Sequence, residues 1–512
     1  MRGVIDRRAG ARARTAAAAA STTPTVATVV AAMAALCCAG SAWAQGARGA
    51  APDPRTFNYR DLTRELSNKM TGSYVVATVG DVLMMEPVSS LIDPRIRQVL
   101  READTTIGNM EATIVDRRNW TSGFAANFSP KETAADVAAL GFDLMTGANN
   151  HAFDMGEDGS RSNAKWLDQA GIPLAGVGPT LSTARMPVFQ LTPKGRVGLV
   201  GAYTNAGAAA AADKVGNMGV QRWGVNPVRL TAWNVVTRPQ LEYLRGMRDQ
   251  IVARRGELTD SAPIAVPRDD ADRVQIFNEN YIAGPAIGEY RYEINREDLE
   301  ANLRAIRNTK ENADFAAFTM HAHQNRLAFQ SVYVDHYPPQ FVSDFAHALI
   351  DNGADLYLGH GEHSLQGIEI YKGRPIFYDL GAFVLQEITV DGSDLPPRMT
   401  SIEADELPTD RLQTPDVLVA VVASSRYQDG RLVEVRLYPV ELGVGKNRTW
   451  SRMGVPQTPS PELAQQILQK VQAYSAPFHT TIAIDKGVGI IRVLPEATVP
   501  VGAGIRATFT SH

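Results

Sequence analysis

Of the nine histidines in this 512-residue chain, five fall in three short motifs: Asn149-Asn150-His151, His321-Ala322-His323 and Gly359-His360-Gly361-Glu362-His363. Upstream lie Gly80-Asp81 and Asn109-Met110-Glu111. Carboxylates, amide oxygens and neutral imidazoles are the donors that divalent metals such as Mn, Fe and Zn accept. Each residue alone has an ordinary explanation. A single histidine packs or hydrogen-bonds, an Asp after a strand caps a helix, and Asn-Asn-His makes a tight turn. Each motif, however, follows an apolar run, so the chain delivers its ligand types together to one edge of a sheet. The first expectation is a metal-dependent hydrolase.

The elements that must position these residues alternate between strand and helix. Tyr74 to Gly80 reads as a strand that places Asp81 at its C-terminal end, and Asp93 to Glu102 as a helix. Asp104 to Gly108 and Phe142 to Thr146 are strands that deliver Asn109, Glu111 and the Asn149-Asn150-His151 motif. Lys131–Leu140 and Ser160–Ala170 carry helical spacing with glycine stops. Ile172–Ala175 and Val197–Tyr203 are further strands. Asp314–Met320 and Ala354–Leu358 have buried-strand composition and lead to His321 and His360, with helices from Asn295 to about Asn312 and from Gln340 to Asn352 between and before them. Ile368–Tyr371 and Ile376–Leu380 read as a hairpin. A second hairpin, Val417–Ser424 with Arg431–Leu437, turns on Asp429-Gly430. Pro461 to Tyr474 is a final helix, and residues 391–414 read as loop. The rhythm predicts a layered α/β core, with ligands at the strand ends where such sheets place them. Residues 204–284 break it and read as an insertion with a charged helix near Leu241–Arg255.

The N-terminus reads as a leader. Arg2, Arg7, Arg8, Arg12 and Arg14 precede an apolar stretch from Val26 to Ala39, and Ala42-Trp43-Ala44 is a small-x-small cleavage site. Residues 1–44 are therefore expected to be a signal peptide, removed near Ala44, with 45–72 a polar lead-in. The apolar stretch is short for a membrane span of about 20 residues, and Arg7-Arg8 leaves the choice of Sec or twin-arginine export open. Cys37 and Cys38 both lie in this segment, outside any good lipidation box, so the mature chain has no disulfide framework, thiolate metal site or cysteine nucleophile. Removing five Arg and one Asp moves the formal charge from −4 to −8. With no long basic run, a nucleic-acid partner is not indicated. The expected location is the bacterial periplasm or cell surface, with no transmembrane segment in the mature protein.

The ordered motifs Gly80-Asp81-Val82-Leu83-Met84, Ala103-Asp104 through Asn109-Met110-Glu111, Ala148-Asn149-Asn150-His151-Ala152 with Asp154, Met320-His321, Gly353-Ala354-Asp355, Gly359-His360 with His363, and Pro375-Ile376-Phe377-Tyr378 with Leu380-Gly381 and Phe383 resemble bacterial CapA-type proteins. That family is named for poly-γ-glutamate capsule synthesis and sits in the calcineurin-like metallophosphoesterase superfamily. The resemblance spans about residues 73–205 and 285–385. It implies a four-layer αββα sandwich over 73–390, here with the insertion and a β-rich C-terminal extension (391–512) partly packed on the core. It also implies two divalent ions. Asp81 would bind the first, Glu111 would bridge, and Asn150 and His321 would bind the second, with His360 and His363 as a terminal pair, one on each. His151 would contact substrate and protonate the leaving oxygen, and Asn109 and Asn149 would donate to a phosphoryl oxygen, their alternative role being turn formation.

Two cations about 3.5–4 Å apart activate water for in-line displacement at phosphorus, so no side-chain nucleophile is needed. The sequence departs from the pattern at four places. Leu83 stands where the superfamily has a first-metal histidine, a feature the CapA group shares. Gly361 stands where that group often has another His, and His323 appears in place of the glycine of His-Trp-Gly. Ala382 replaces the Asn of Leu-Gly-Asn-Phe. One-metal and two-metal loading both stay open. The expected function is an exported hydrolase of a phosphoester or anionic envelope polymer. The alternative is a non-catalytic accessory that works with capsule-synthesis proteins on an anionic polymer such as poly-γ-glutamate.

Overall fold

The strand Ser73–Leu83 is the hub of the molecule, pairing with three other strands. The computed structural model describes residues 65–116, 128–213, 221–258, 269–329, 335–386, 416–443 and 454–493. The expected signal peptide, both cysteines, most of the expected polar lead-in and residues 391–414, expected to be loop, lie outside them. Among the described residues no helix is long and apolar enough to cross a membrane.

Two sheets carry the fold. The first, nine-stranded, runs Ala483–Asp485, Val488–Arg492, Arg431–Glu441, Val419–Gln428, Ser73–Leu83, Thr105–Met110, Leu144–Thr146, Leu174–Ala175, with Val384–Leu385 also pairing to Ser73–Leu83. The second, six-stranded, runs Ile368–Tyr371, Arg374–Phe377, Leu356–His360, Phe315–His321, Gly195–Tyr203, Val188–Thr192. Period-2 alternation sorts their side chains. Tyr74, Val76, Ile107 and Leu144 of the first sheet meet Leu199, Phe315, Ala317, Leu356 and Leu358 of the second in one core. The opposite faces bury Val79 and Met110 under the helices Pro94–Arg101, Glu132–Leu140 and Gly156–Gln169, and Phe318, Met320 and Tyr357 under Arg296–Asn312 and Gln340–Asp351. The order is helix, sheet, sheet, helix, as the sequence led us to expect.

Local chemistry sets the helix starts. Asp93 accepts from the Arg95 amide ahead of Pro94 at the first helical position, and Asn295 accepts from the Asp298 amide. Gly156–Gln169 begins four residues before the expected start, because Gly156 follows the His151 turn directly.

The C-terminal hairpin does more than pack on the core. Val419–Gln428 pairs antiparallel with Ser73–Leu83 over six registered residues, Ser73–Thr78, and Val421, Ala423, Leu437, Ile467, Leu468 and Val471 belong to the inter-sheet core. Sequence separation hid this neighbour. Three strands of the insertion, Arg273–Ile276, Glu279–Ala283 and Leu230–Val236, form a small sheet in that order with Tyr290–Ile294, which follows the insertion, and the helix Arg238–Leu258 lies against it.

Candidate metal centre

Asp81 is not at the end of its strand, as expected, but within it. Val82 and Leu83 continue, pairing with Val384 and Leu385. What aims its carboxylate is a bulge. The ladder with Thr105–Met110 pairs Thr78 with Ile107 and then Asp81 with Asn109, one extra residue on the Asp81 side. In an unbroken strand Asp81 would share the outer, helix-covered face with Val79. The bulge turns it to the inter-sheet side, beside Asn109 and opposite the second sheet. Gly80 permits this, since a Cβ there would stand 2.1 Å from the Gly381 carbonyl oxygen.

The second sheet answers from across the gap. His321 and His360 are the last residues of adjacent parallel strands and are registered partners. They occupy the inner face by the same alternation that puts Ala317 and Leu358 in the inter-sheet core. His321 Nδ1 and His360 Nδ1 lie 2.9 Å apart, and 3.6 Å and 3.4 Å from Asp81 Oδ1. His363 Nδ1 is 3.0 Å from Asp81 Oδ2, and its Nε2 is 3.7 Å from Glu111 Oε1. The other side of His321 faces a second set, with Nε2 3.5 Å from Glu111 Oε1 and 3.0 Å from His323 Nε2. Three ligand groups result: Asp81 with His321 and His360, Glu111 with His321 and His323, and Asp81 with Glu111 and His363. In each, one donor atom per residue lies within 4.8 Å of the others.

These separations suit a cation. Two nitrogens bound to one ion at about 2.1 Å stand roughly 3.0–3.4 Å apart. The protonation states suit it too, because a metal needs neutral imidazoles and ionised carboxylates. Burial pushes His321 down to about 3 in spite of Asp81 beside it. Burial and the neighbouring imidazoles of His321 and His363 hold His323 well below the usual range. Burial alone would raise Asp81, but hydrogen bonds from His321, His360 and His363 hold it well below an ordinary carboxylate. Asn150 Oδ1 is buried with no hydrogen-bond partner among the described residues, the state of an amide oxygen available to a cation. The donor set therefore fits a divalent ion of the Mn, Fe or Zn kind.

Gly361 is explained by packing. Its backbone N–H donates to Asp81 Oδ2 at 3.0 Å. A Cβ there would lie 2.7 Å from the Ala322 carbonyl oxygen, and its φ of +120° disfavours any side chain. A histidine cannot stand at this position, and His323, from the facing loop, brings its imidazole to the cluster. His363 itself takes a left-handed φ of 54°, which turns its ring back toward Asp81.

The asparagines behave differently from the expectation. Asn109 Nδ2 donates to Asp81 Oδ1 at 2.8 Å and approaches His321 Nδ1 at 3.2 Å. Asn149 Nδ2 donates to Asn109 Oδ1 at 2.9 Å and to the Met110 carbonyl at 2.8 Å, while its Oδ1 accepts from the His151 amide. Both are fully buried and committed to internal bonds, so they fix Asp81 and the His151 turn rather than reach for substrate. His151 lies at the rim, its Nδ1 2.6 Å from Asp154 Oδ2.

Three contributing residues escaped the sequence reading. Asp154 was part of the motif but had no role assigned. Asp379 follows the strand Arg374–Phe377 and accepts from the backbone amides of Gly381 and Glu362, tying together the two loops that flank Asp81. Strand-end logic applied to Tyr378-Asp379 would have found it. Gln324 Oε1 accepts from the Thr204 hydroxyl, while the Thr204 backbone N–H donates to the His321 carbonyl, and no sequence signal marks it.

The fold and the site thus define a four-layer α/β sandwich with a carboxylate–histidine cluster between its sheets that could hold a metal. The model of the family described as "Bacterial capsule synthesis protein PGA_cap" matches residues 75–387, and the chain belongs to that family. It is 35% identical over 462 residues to the uncharacterized protein y4sH of Sinorhizobium fredii, covering 85% of this chain and 96% of that one. It is 23% identical over 327 residues to the capsule biosynthesis protein CapA of Bacillus anthracis, covering 60% and 59%. Among solved structures, a putative 5'-nucleotidase from Staphylococcus aureus aligns with 10% identity and a TM-score of 0.34, over 74% of this chain and 56% of that one.

Proposed function

We propose that this protein is an exported, metal-dependent hydrolase acting on a phosphoester or an anionic envelope polymer. The observation that carries the proposal is the convergence of Asp81, Glu111, His321, His323, His360 and His363 from both sheets on one buried point. Divalent ions bound there would supply Lewis acidity and lower the pKa of water near neutral pH. Asp81 and Glu111 provide the fixed negative charge that holds the cations. His321, His323, His360 and His363 provide ring nitrogens, and burial keeps those of His321 and His323 neutral. His151, oriented through Nδ1 by Asp154, holds a proton at Nε2 for the leaving oxygen, and its position at the rim lets substrate reach it. The test is metal analysis of purified protein together with a phosphodiester panel. The expected result is bound divalent metal, turnover abolished by chelation and restored by metal, and a drop of about 10²–10⁴-fold in His151→Ala. Protein that takes up no metal, or whose turnover ignores both chelation and His151, overturns it.

A second reading is favoured by the relatives. One is named a capsule biosynthesis protein, and a 40-residue segment is 52% identical to a probable polyglutamine synthesis accessory protein of Mycobacterium tuberculosis. On this reading the centre holds polymer carboxylates through its metal and releases no product. Saturable metal-dependent binding of poly-γ-glutamate without cleavage would select it.

A further inference from the structure

The strand Gly195–Tyr203 ends in the same row as two of the candidate ligands. Tyr203 is the registered parallel partner of His321, which is in turn the partner of His360. Alternation fixes the face on which it stands. Leu199, four residues back, lies in the inter-sheet core, and a Cβ on Gly201, two residues back, would run into the Thr146 side chain of the first sheet. The Tyr203 ring therefore stands on the inter-sheet side, with the imidazoles of His321 and His360.

Its surroundings place it between the cluster and the His151 turn. The ring meets that of His321 edge-on, with centroids 5.5 Å apart and planes at 61°. It belongs to one apolar group with Ala148 and Ala152, which flank Asn149-Asn150-His151. The charges that act on its hydroxyl are those of Glu111, a member of two of the three ligand groups, and Asp154, the partner of His151. The residue is 6% exposed. Its backbone is pinned, the N–H donating to the Asn226 carbonyl and the carbonyl accepting from the Val228 N–H.

A tyrosine buried this deeply usually finds a partner for its O–H. Among the described residues no hydrogen bond acts on this hydroxyl, and it is not one of the sealed polar atoms left without a partner, so its oxygen opens to solvent. A neutral donor suits the position. It can bond an anionic oxygen beside Glu111 without competing with a metal ion for that carboxylate, as a lysine or arginine would.

We infer that Tyr203 is a substrate-binding residue whose hydroxyl donates a hydrogen bond to an anionic oxygen of the molecule held at the metal centre. The inference rests on the metal reading above and adds to it a residue outside the ligand set.

The experiment compares wild type with Tyr203→Phe, which lacks one oxygen. Both are titrated with Mn²⁺ and melted without metal, and the Mn²⁺-loaded proteins are then titrated with inorganic phosphate and with poly-γ-glutamate. The expected result is unchanged Mn²⁺ affinity and metal-free melting, with at least one of the two anions bound about 10–100-fold more weakly by the variant, the range for losing a hydrogen bond to a charged group. Weakened phosphate alone assigns the bond to a phosphoryl oxygen, and weakened poly-γ-glutamate alone to a carboxylate. Equal affinity for both anions overturns this inference alone, as does Mn²⁺-loaded wild type that binds neither. A variant that loses Mn²⁺ affinity or metal-free stability also overturns it, since the tyrosine would then be holding His321 or the fold. Wild type that takes up no Mn²⁺ overturns the metal reading itself and this one with it.

Discussion

The parallel strands Phe315–His321 and Leu356–His360 carry buried charge at both ends, and the two ends are built on opposite principles. At the N-terminal end, Lys310 Nζ bonds Asp355 Oδ2 at 2.5 Å and the Asp314 carbonyl at 2.9 Å, and Asp355 Oδ2 also accepts from the Ala316 amide. Cation and anion are both present. At the C-terminal end, Asp81 and Glu111 face a cluster of imidazoles, of which burial keeps His321 and His323 neutral, with nitrogens of His321 2.9 Å from His360 and 3.0 Å from His323. There the protein supplies anions and lone pairs but no fixed cation of its own among the cluster's ligands. The first end closes the sheet. The second is arranged around something the chain does not encode. Burial is common to both, so burial of charge alone does not mark a functional site. What distinguishes the second end is that carboxylates and imidazoles converge there with no lysine or arginine among the ligand groups.

The comparison can be broken at its structural end first. Lys310→Met leaves Asp355 buried beside Ala316 and Arg374, and should cost about 3–5 kcal/mol in urea unfolding of metal-free protein while leaving metal affinity unchanged. Burial already pulls Lys310 below an ordinary lysine in spite of Asp355, so the pair itself is not a large net gain. Adding Asp355→Asn should therefore recover about 1 kcal/mol or more. An additive double variant would show that the two residues do not act as a pair.

At the other end, metal should act as the missing partner. At a free concentration of 100 times Kd, Mn²⁺ or Zn²⁺ should add about 2.7 kcal/mol of stability, seen as a higher melting temperature that EDTA reverses. His321→Ala, which strips one ligand from two of the three groups, should abolish that gain without the loss seen in Lys310→Met. A large loss of metal-free stability in His321→Ala would mean the imidazole is an ordinary core residue.

Smaller effects follow from geometry. Gly361→Ala forces a Cβ against Ala322 at a left-handed φ and should cost about 1–3 kcal/mol, with weaker metal binding because the Gly361 amide no longer meets Asp81. Equal stability and affinity would mean the loop relaxes freely.

The two ends should also separate on acidification. His321 is neutral in the fold, near 3, and about 6.5 when unfolded. The unfolded chain therefore binds the extra proton between these values, and the contribution is full above about pH 6.5 and is lost as pH falls toward 3. Asp81, depressed in the fold, adds stability above its unfolded value of about 3.9 and loses it below. Metal release and loss of metal-free stability should thus begin below pH 6.5 in wild type. A flat pH profile between 6.5 and 4 that His321→Ala does not change would contradict these assignments.

Residue types and order made the layers and the ligand candidates legible. Apolar runs leading into Asp81, Glu111, His321 and His360 can be read from period and composition, because alternation is a local property of the chain. The sequence likewise located His323 and His363 without deciding which atoms each would face. Three matters needed the tertiary structure. The bulge beside Gly80, which packs its backbone against the Gly381 carbonyl three hundred residues away in the chain, sets the face that Asp81 takes. The burial of Asn109 and Asn149 depends on each other's amides, which turns two apparent substrate donors into supports. Val419–Gln428 became a neighbour of Ser73–Leu83 through long-range pairing that no local pattern announces. Sequence by itself thus determined which chemistry the chain carries, since that lies in the side chains. Only the fold decided which of those side chains converge, since convergence is set by register, close approach and burial between segments far apart.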